Sequence, residues 1–292
     1  MPQKKTLSAF MLLFFVSLLW GTSYILIKKS LLALTPFQVA TTRLFVASVF
    51  YTPVGIYHFR KSMRPHLSSF LVVGVIGSAF PAILFAQAQT QINSSLTGAL
   101  ASLTPLCTLI LGILFFGTKS TLTRSIGIGM GLLGSLLLIF GTTDPTVIGR
   151  PVYALFIVLA TLMYAFSTNV IGHKLQSYSS TVVSGVAFGL LLPVILPLFY
   201  ISGVGQSIMT GELTWPQLWP VVLLSILGTI IGSVAYFYLI KRTSPVFAST
   251  VSYLAPVLAI MFGMVDGEHI YMIHLVGITI LLLGIFMTRK EP

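Results

Sequence analysis

Long runs without a charge alternate with short basic connections along almost the whole chain. Residues 6–27, 65–118, 151–173, 175–211, 213–240 and 243–265 contain no Asp, Glu, Lys or Arg. A helix that crosses the hydrocarbon needs about 20 mostly apolar residues, so each run holds one span or two. Proline, glycine and polar clusters cut the runs into ten predicted helices at 8–27, 36–57, 67–89, 94–116, 124–142, 151–172, 180–201, 216–240, 246–265 and 270–288. Pro36, Pro151 and Pro216 stand at or near the starts of spans, where a missing backbone donor costs little. The expected fold is all-α, a polytopic membrane protein of ten transmembrane helices.

The pattern also repeats. LLWGTSYILIKKSL at 18–31 returns as TLMYAFSTNVIGHKL at 161–175, which sets Trp20 on Tyr164. GIGMGLLG at 127–134 returns as GITILLLG at 277–284, with glycines seven apart in both. Residues 1–146 and 147–292 therefore read as two copies of one five-helix unit. An odd number of spans per copy forces the second to enter the membrane from the opposite face, so the repeat is expected to be inverted. Such duplication is typical of carriers that rock one half against the other around a midplane site.

Composition agrees with a membrane chain, at 56% hydrophobic and 7% charged residues. The net charge of +11 would suggest nucleic acid in a soluble protein, but here the basic residues sit in the connections and report topology. With the N-terminus inside, Lys4, Lys5, Arg60, Lys61, Arg64, Lys119, Arg124, Lys174, Lys241, Arg242, Arg289 and Lys290 are cytoplasmic, against Lys28, Lys29 and Arg150 outside. That asymmetry places both termini in the cytoplasm. Cys107, the single cysteine, lies in an apolar span and excludes a disulfide framework or cysteine-rich metal site. Trp20, Tyr24 and Lys28 do not suit a small-residue cleavage site, so the first apolar run is read as a retained helix.

Few side chains carry candidate chemistry. Arg43 is the one charge well inside a span, seven residues past Pro36; a buried Arg costs roughly 2.5–3.5 kcal/mol at a helix centre and normally faces a bundle interior or a wet cavity. Pro105 and Pro256 break helices at matching places in the repeat, within ASLTP and SYLAP. The carbonyls they free, with Ser102, Thr104, Ser252 and Tyr253, either meet a polar substrate group or are satisfied by nearby hydroxyls. Gln87, Gln89, Asn169, Tyr236 and Tyr238 are polar at comparable depths, as interhelical glue or ligand contacts. Trp20 and Tyr164 lie mid-helix, away from the interfacial belt. The expected substrate site is lined by Trp20, Tyr24, Arg43, Gln87, Ser102, Tyr164, Tyr236 and Tyr253, with kinks at Pro105 and Pro256. Gly127, Gly131, Gly228 and Gly232 have the spacing of close helix packing, and Glu268 reads as a helix cap.

The chain has no HExxH, G-x-S-x-G or phosphate-loop motif, so no enzyme, ATP-driven pump, metal or cofactor is expected. No Asp or Glu lies well inside a span, which argues against proton coupling through a buried carboxylate. One intramembrane Arg is too few for nucleotides or sugar phosphates, which recruit several cations. Neutral, zwitterionic or aromatic small molecules remain. A carrier is the first reading and a non-transporting membrane receptor or scaffold the second. The bilayer and a small-molecule substrate are the expected partners, nucleic acid is not, and a homodimer is left open.

The Trp20–Gly21 step, the Pro36 to Arg43 spacing in PFQVATTR, Pro105, Pro256, and Gly267–Glu268 nine residues before Gly277 resemble, in order and recurrence, the EamA-type branch of the drug/metabolite transporter superfamily. Thr118 stands where the first half would answer Glu268, and Tyr164 where the second would answer Trp20. The resemblance implies ten helices around a central cavity in a bacterial inner membrane. It also implies export of small metabolites, amino acids or drugs.

Overall fold

The computed structural model describes residues 2–92, 94–140, 151–254, 257–258 and 272–288. Pro256 and Glu268 lie outside the described residues. Among the described residues every regular element is helical, and six helices are long and apolar enough to cross a membrane. The first half contributes α1 (Pro2–Ser30), α2 (Pro36–His58), α3 (Met63–Ala88), α4 (Ser94–Ala101), α5 (Thr104–Phe116) and α6 (Leu122–Phe140). The second contributes α7 (Pro151–Lys174), α8 (Ser180–Ile201), α9 (Val204–Met209), α10 (Trp215–Arg242), α11 (Pro245–Ser249) and α12 (Met272–Thr288).

Local sequence sets the ends of these helices. At α2, Thr35 Oγ1 accepts from Gln38 N while Gln38 Oε1 accepts from Thr35 N, with Pro36 next in line; this reciprocal cap satisfies donors that would otherwise be orphaned. Ser179 caps α8 and Ser244 caps α11 in the simpler one-bond way.

Two departures from uninterrupted α-helix shape the interior of the bundle. The spans expected at 67–89 and 216–240 each contain an eight-residue π-helical stretch, Val72–Ala79 in α3 and Leu224–Ile231 in α10. The span expected at 94–116 is split into α4 and α5 by a turn at 102–103. Pro105 has no N–H for the Ala101 carbonyl and its ring would strike that carbonyl in a continuous helix. The carbonyl is instead taken by Thr104 Oγ1 at 2.6 Å. In the second half, α11 runs into a 3₁₀ turn at Thr250–Tyr253.

Packing joins the two halves through antiparallel partners. Along α2 and α8, Phe45 stacks on Phe199 (4.2 Å), Tyr51 on Phe188 (5.4 Å), and Gly55 meets the backbone of Gly185. Numbers rise on one helix as they fall on the other. α6 and α12 are also antiparallel, and the glycine octapeptides that repeat in the sequence are the two sides of this one seam. A Cβ on Gly127 would lie 2.8 Å from Gly284 O, and one on Gly134 2.7 Å from Gly277 O, so the backbones approach as only glycine permits. Around these pairs α7 packs on α3 and α5, while α1 packs on α10 and the turn after α11. Ser17 Oγ, for example, bonds both Leu13 O (2.8 Å) and Val251 O (3.2 Å).

Candidate functional site

A central cavity of about 90 Å³ lies where α1, α2, α3, α7 and α10 converge. Its wall is aromatic: Trp20 lies 4.6 Å from Tyr236 and 6.3 Å from Tyr164 between ring centroids, Tyr164 lies 5.8 Å from Phe85, and Phe85 6.1 Å from Tyr24. Such ring pairs each add roughly 0.5–1.5 kcal/mol beyond area burial and present flat apolar faces to the space between them. Into the wall are set Ser23, Ser78, Ser167, Thr168, Thr229 and Ser233. Thr168 and Tyr236 exchange a hydroxyl hydrogen bond at 3.0 Å.

The π-helical stretch of α10 organises one side. Trp20 Nε1 donates to Gly228 O (3.0 Å), Tyr51 OH donates to Ile230 O (2.5 Å), and Arg43 Nε donates to Thr229 Oγ1 (2.5 Å). A π-helix displaces the regular carbonyl partners, so carbonyls are available to side chains from other helices. Three successive residues of α10 are thereby held by α1 and α2. Arg43 is half-buried, and one of its five donors is occupied by Thr229 while the side chain lines the cavity. Glu212, the one acid among the described residues, accepts from Ser207 (2.9 Å), so no described carboxylate neutralises Arg43.

The two halves contribute matching pieces. Ser23 of α1 sits over Gly228, where a Cβ would come within 2.6 Å of its Oγ. Ser167 of α7 likewise sits over Gly77, and a Cβ there would collide with its Oγ. Ser23 and Ser167 occupy the same place in the sequence repeat, three residues after Trp20 and Tyr164. Gly77 and Gly228 both belong to the π-helical stretches. Each first helix of a unit thus drives a serine into the other unit's π segment.

Five of the eight residues singled out from sequence, Trp20, Tyr24, Arg43, Tyr164 and Tyr236, stand together on this cavity. The other three stand elsewhere. Gln87 lies on α3 beyond Phe85 and outside the lining, and Ser102 is fully buried in the turn between α4 and α5. Tyr253 is fully buried with its OH donating to Ile128 O (2.8 Å) and its ring against Gly131, tying the turn after α11 to α6. Asn169 bonds Thr108 O (2.9 Å) and Ala165 O (3.0 Å), a bridge between α7 and α5. Gly228 and Gly232 admit Ser23 and the Trp20 indole.

Sequence reasoning passed over Ser23, Ser167, Thr168 and Thr229. A signal existed for the first pair, since the repeat that aligns Trp20 with Tyr164 also aligns serine with serine. Thr229 had none, because its role depends on the π register of α10.

Similarity to known proteins divides the chain at the same place. Residues 7–140 and residues 152–289 each match the EamA-like transporter family. The uncharacterized inner membrane transporter YedA of Escherichia coli (strain K12) is 24% identical over 289 residues, covering 97% of this chain and 91% of the relative. The uncharacterized transporter YoaV of Bacillus subtilis (strain 168) is 25% identical over 281 residues, 93% of each protein. A solved crystal structure shares the fold at a TM-score of 0.68, with 18% identity over 96% of both chains. With matches to the family spanning both halves and six membrane-length helices among the described residues, the chain is a multi-pass membrane transporter that belongs to the EamA-like transporter family.

Proposed function

We propose that this transporter exports small neutral, zwitterionic or aromatic metabolites, amino acids and related compounds among them, by alternating access and without ATP. The observation that carries the reading is the shared cavity, closed by Trp20 and Ser23 from one half and Tyr164 and Ser167 from the other. Aromatic faces hold an apolar body, hydroxyls hold a polar end, and Arg43 attracts a carboxylate. At about 90 Å³ the space falls short of the roughly 300 Å³ at which ligand pockets begin, so a metabolite enters only when the halves separate. The ties that must release are few. Each neutral hydrogen bond is worth about 0.5–1.5 kcal/mol net, a range in which substrate contacts can compete.

The architecture proposed with it is ten helices in two inverted units, 1–146 and 147–292, in an inner membrane with both termini cytoplasmic. Antiparallel packing of corresponding helices, α2 on α8 and α6 on α12, supports inversion, because copies related by an axis along the membrane normal would keep corresponding helices parallel. The loop charge asymmetry supports the orientation.

The test is flux from proteoliposomes loaded with candidate metabolites. Substrate-dependent flux that falls with Trp20→Ala supports the proposal. A correctly folded protein that passes no amino acid, aromatic acid or neutral amphiphile would defeat it.

A further inference from the structure

The seam between α2 and α8 is not filled evenly along its length. Ring pairs occupy much of it, Phe45 on Phe199 and Tyr51 on Phe188. About one turn past Tyr51 the packing changes to glycine, and a groove of about 330 Å³ opens between the two helices. Thr52, Gly55, Ile56 and Phe59 form its α2 wall, and Gly189 and Leu190 face them from α8. A Cβ on Gly189 would lie 3.6 Å from Thr52 Cα and 4.0 Å from Gly55 Cα, which is ordinary contact. The groove therefore has room for added carbon without moving either backbone.

The lining selects the kind of occupant. Thr52 is its one polar side chain, and Thr52 Oγ1 donates to Ser48 O of the same helix (2.7 Å). The Gly55 carbonyl accepts from Phe59 N (2.9 Å). What remains is hydrocarbon wall. α2 and α8 are both membrane-length apolar helices, and Ile56 on the rim of the groove is 74% exposed, so the groove is continuous with the surface that meets lipid. Wall atoms facing a gap have no dispersion partner on that side, and a methylene chain supplies one. Length decides between a chain and a helix. A docked helix takes anchors at i, i+3, i+4 and i+7, about two turns, whereas the α8 wall runs from Val186 to Leu190, about one turn.

We propose that this groove is a binding site for one acyl chain of a phospholipid, recognised through the chain and not the headgroup. α2 belongs to the first half and α8 to the second, so the chain lies across a joint between the halves. It replaces there the ring pairs that fill the rest of the seam.

The experiment uses delipidated full-length protein in neutral detergent. Phosphatidylcholine or phosphatidylglycerol, each with short or long chains, is added back, and retained lipid is counted by native mass spectrometry while the unfolding temperature is followed. Wild type is expected to retain one long-chain phospholipid of either headgroup, to lose it when the chains are short, and to gain unfolding temperature with the long-chain lipid. Gly189→Leu places an isobutyl group in the groove, so its retained lipid should fall to background and its unfolding temperature should no longer respond to lipid. Gly189→Ala adds only a methyl group in ordinary contact and should lower retention partway, which keeps the test informative even if Gly189→Leu does not fold. Retention that is equal in wild type and both variants, or that follows the headgroup instead of chain length, overturns the proposal. A wild-type dimer that Gly189→Leu splits also overturns it, because a second copy would then be the occupant.

Discussion

The contact of α2 with α10 and that of α8 with α3 occupy equivalent places in the two units, yet they are built from different chemistry. On the first, Arg43 and Tyr51 reach the π-helical stretch of α10 through Thr229 Oγ1 and Ile230 O. On the second, the residue aligned with Arg43 is Ala187, whose carbonyl lies 2.7 Å from where a Cβ on Gly74 would be. One side is held by long polar side chains that can let go and re-form. The other is held by backbone against backbone, with no room for a methyl group. Duplication repeated the shape of the contact and not its means, so the two sides respond differently to the same kind of change.

The largest effect is expected on the tight side. Gly74→Val forces branched carbons against the Ala187 carbonyl and the Leu191 side chain. Overpacking costs about 1–3 kcal/mol or more, so both unfolding temperature in detergent and flux should fall sharply. A fully stable, active Gly74→Val protein would show that this contact has room to adjust after all.

Next is Arg43→Ala on the adjustable side. It should cut flux of carboxylate substrates by about tenfold to a hundredfold, as expected for loss of a charge-assisted bond of about 1.5–3 kcal/mol, and spare neutral ones. Arg43→Lys should recover only part, because an ammonium lacks the fixed fork. Equal loss for every substrate, with a lowered unfolding temperature, would make Arg43 a strut and shift the site to the aromatics alone.

Tyr51→Phe removes the donor to Ile230 O and keeps the stack on Phe188. A stability loss of about 1 kcal/mol is expected, with a change in flux that does not discriminate by substrate charge. Charge-dependent loss would place Tyr51 in recognition as well as packing.

No effect is expected from collapsing the pH gradient, since no described carboxylate stands in the cavity. Uphill accumulation abolished by a protonophore would break that expectation and direct attention to Glu268, outside the described residues.

Much of the bundle was legible because membrane spans leave a one-dimensional record. Apolar length gives the helices, Pro36 gives an entry point, Gly127 and Gly131 give a close-packing face, and the octapeptides at Gly127 and Gly277 give a repeat. Their mutual contact was not legible, since a repeat shows that two segments are alike and says nothing about their touching. The site was half legible for a related reason. Trp20, Tyr24, Arg43, Tyr164 and Tyr236 share depth and unusual character, and they converge. Gln87, Ser102 and Tyr253 have similar depth and character, but the tertiary fold places them elsewhere: Ser102 is buried in the turn between α4 and α5, and Tyr253 meets α6 at Ile128 O.

By itself the sequence determined the class of the protein, its division into two related units and the short set of polar and aromatic residues a cavity had to draw on. These follow from the cost of unpaired backbone and charge in hydrocarbon, which each segment meets locally. Only the tertiary structure decided which faces meet. The π winding of Val72–Ala79 and Leu224–Ile231 sets Gly77 under Ser167 and Gly228 under Ser23. The balance between an α and a π turn is settled by what packs against it, here Trp20, Arg43 and Tyr51 arriving from helices far away in the chain.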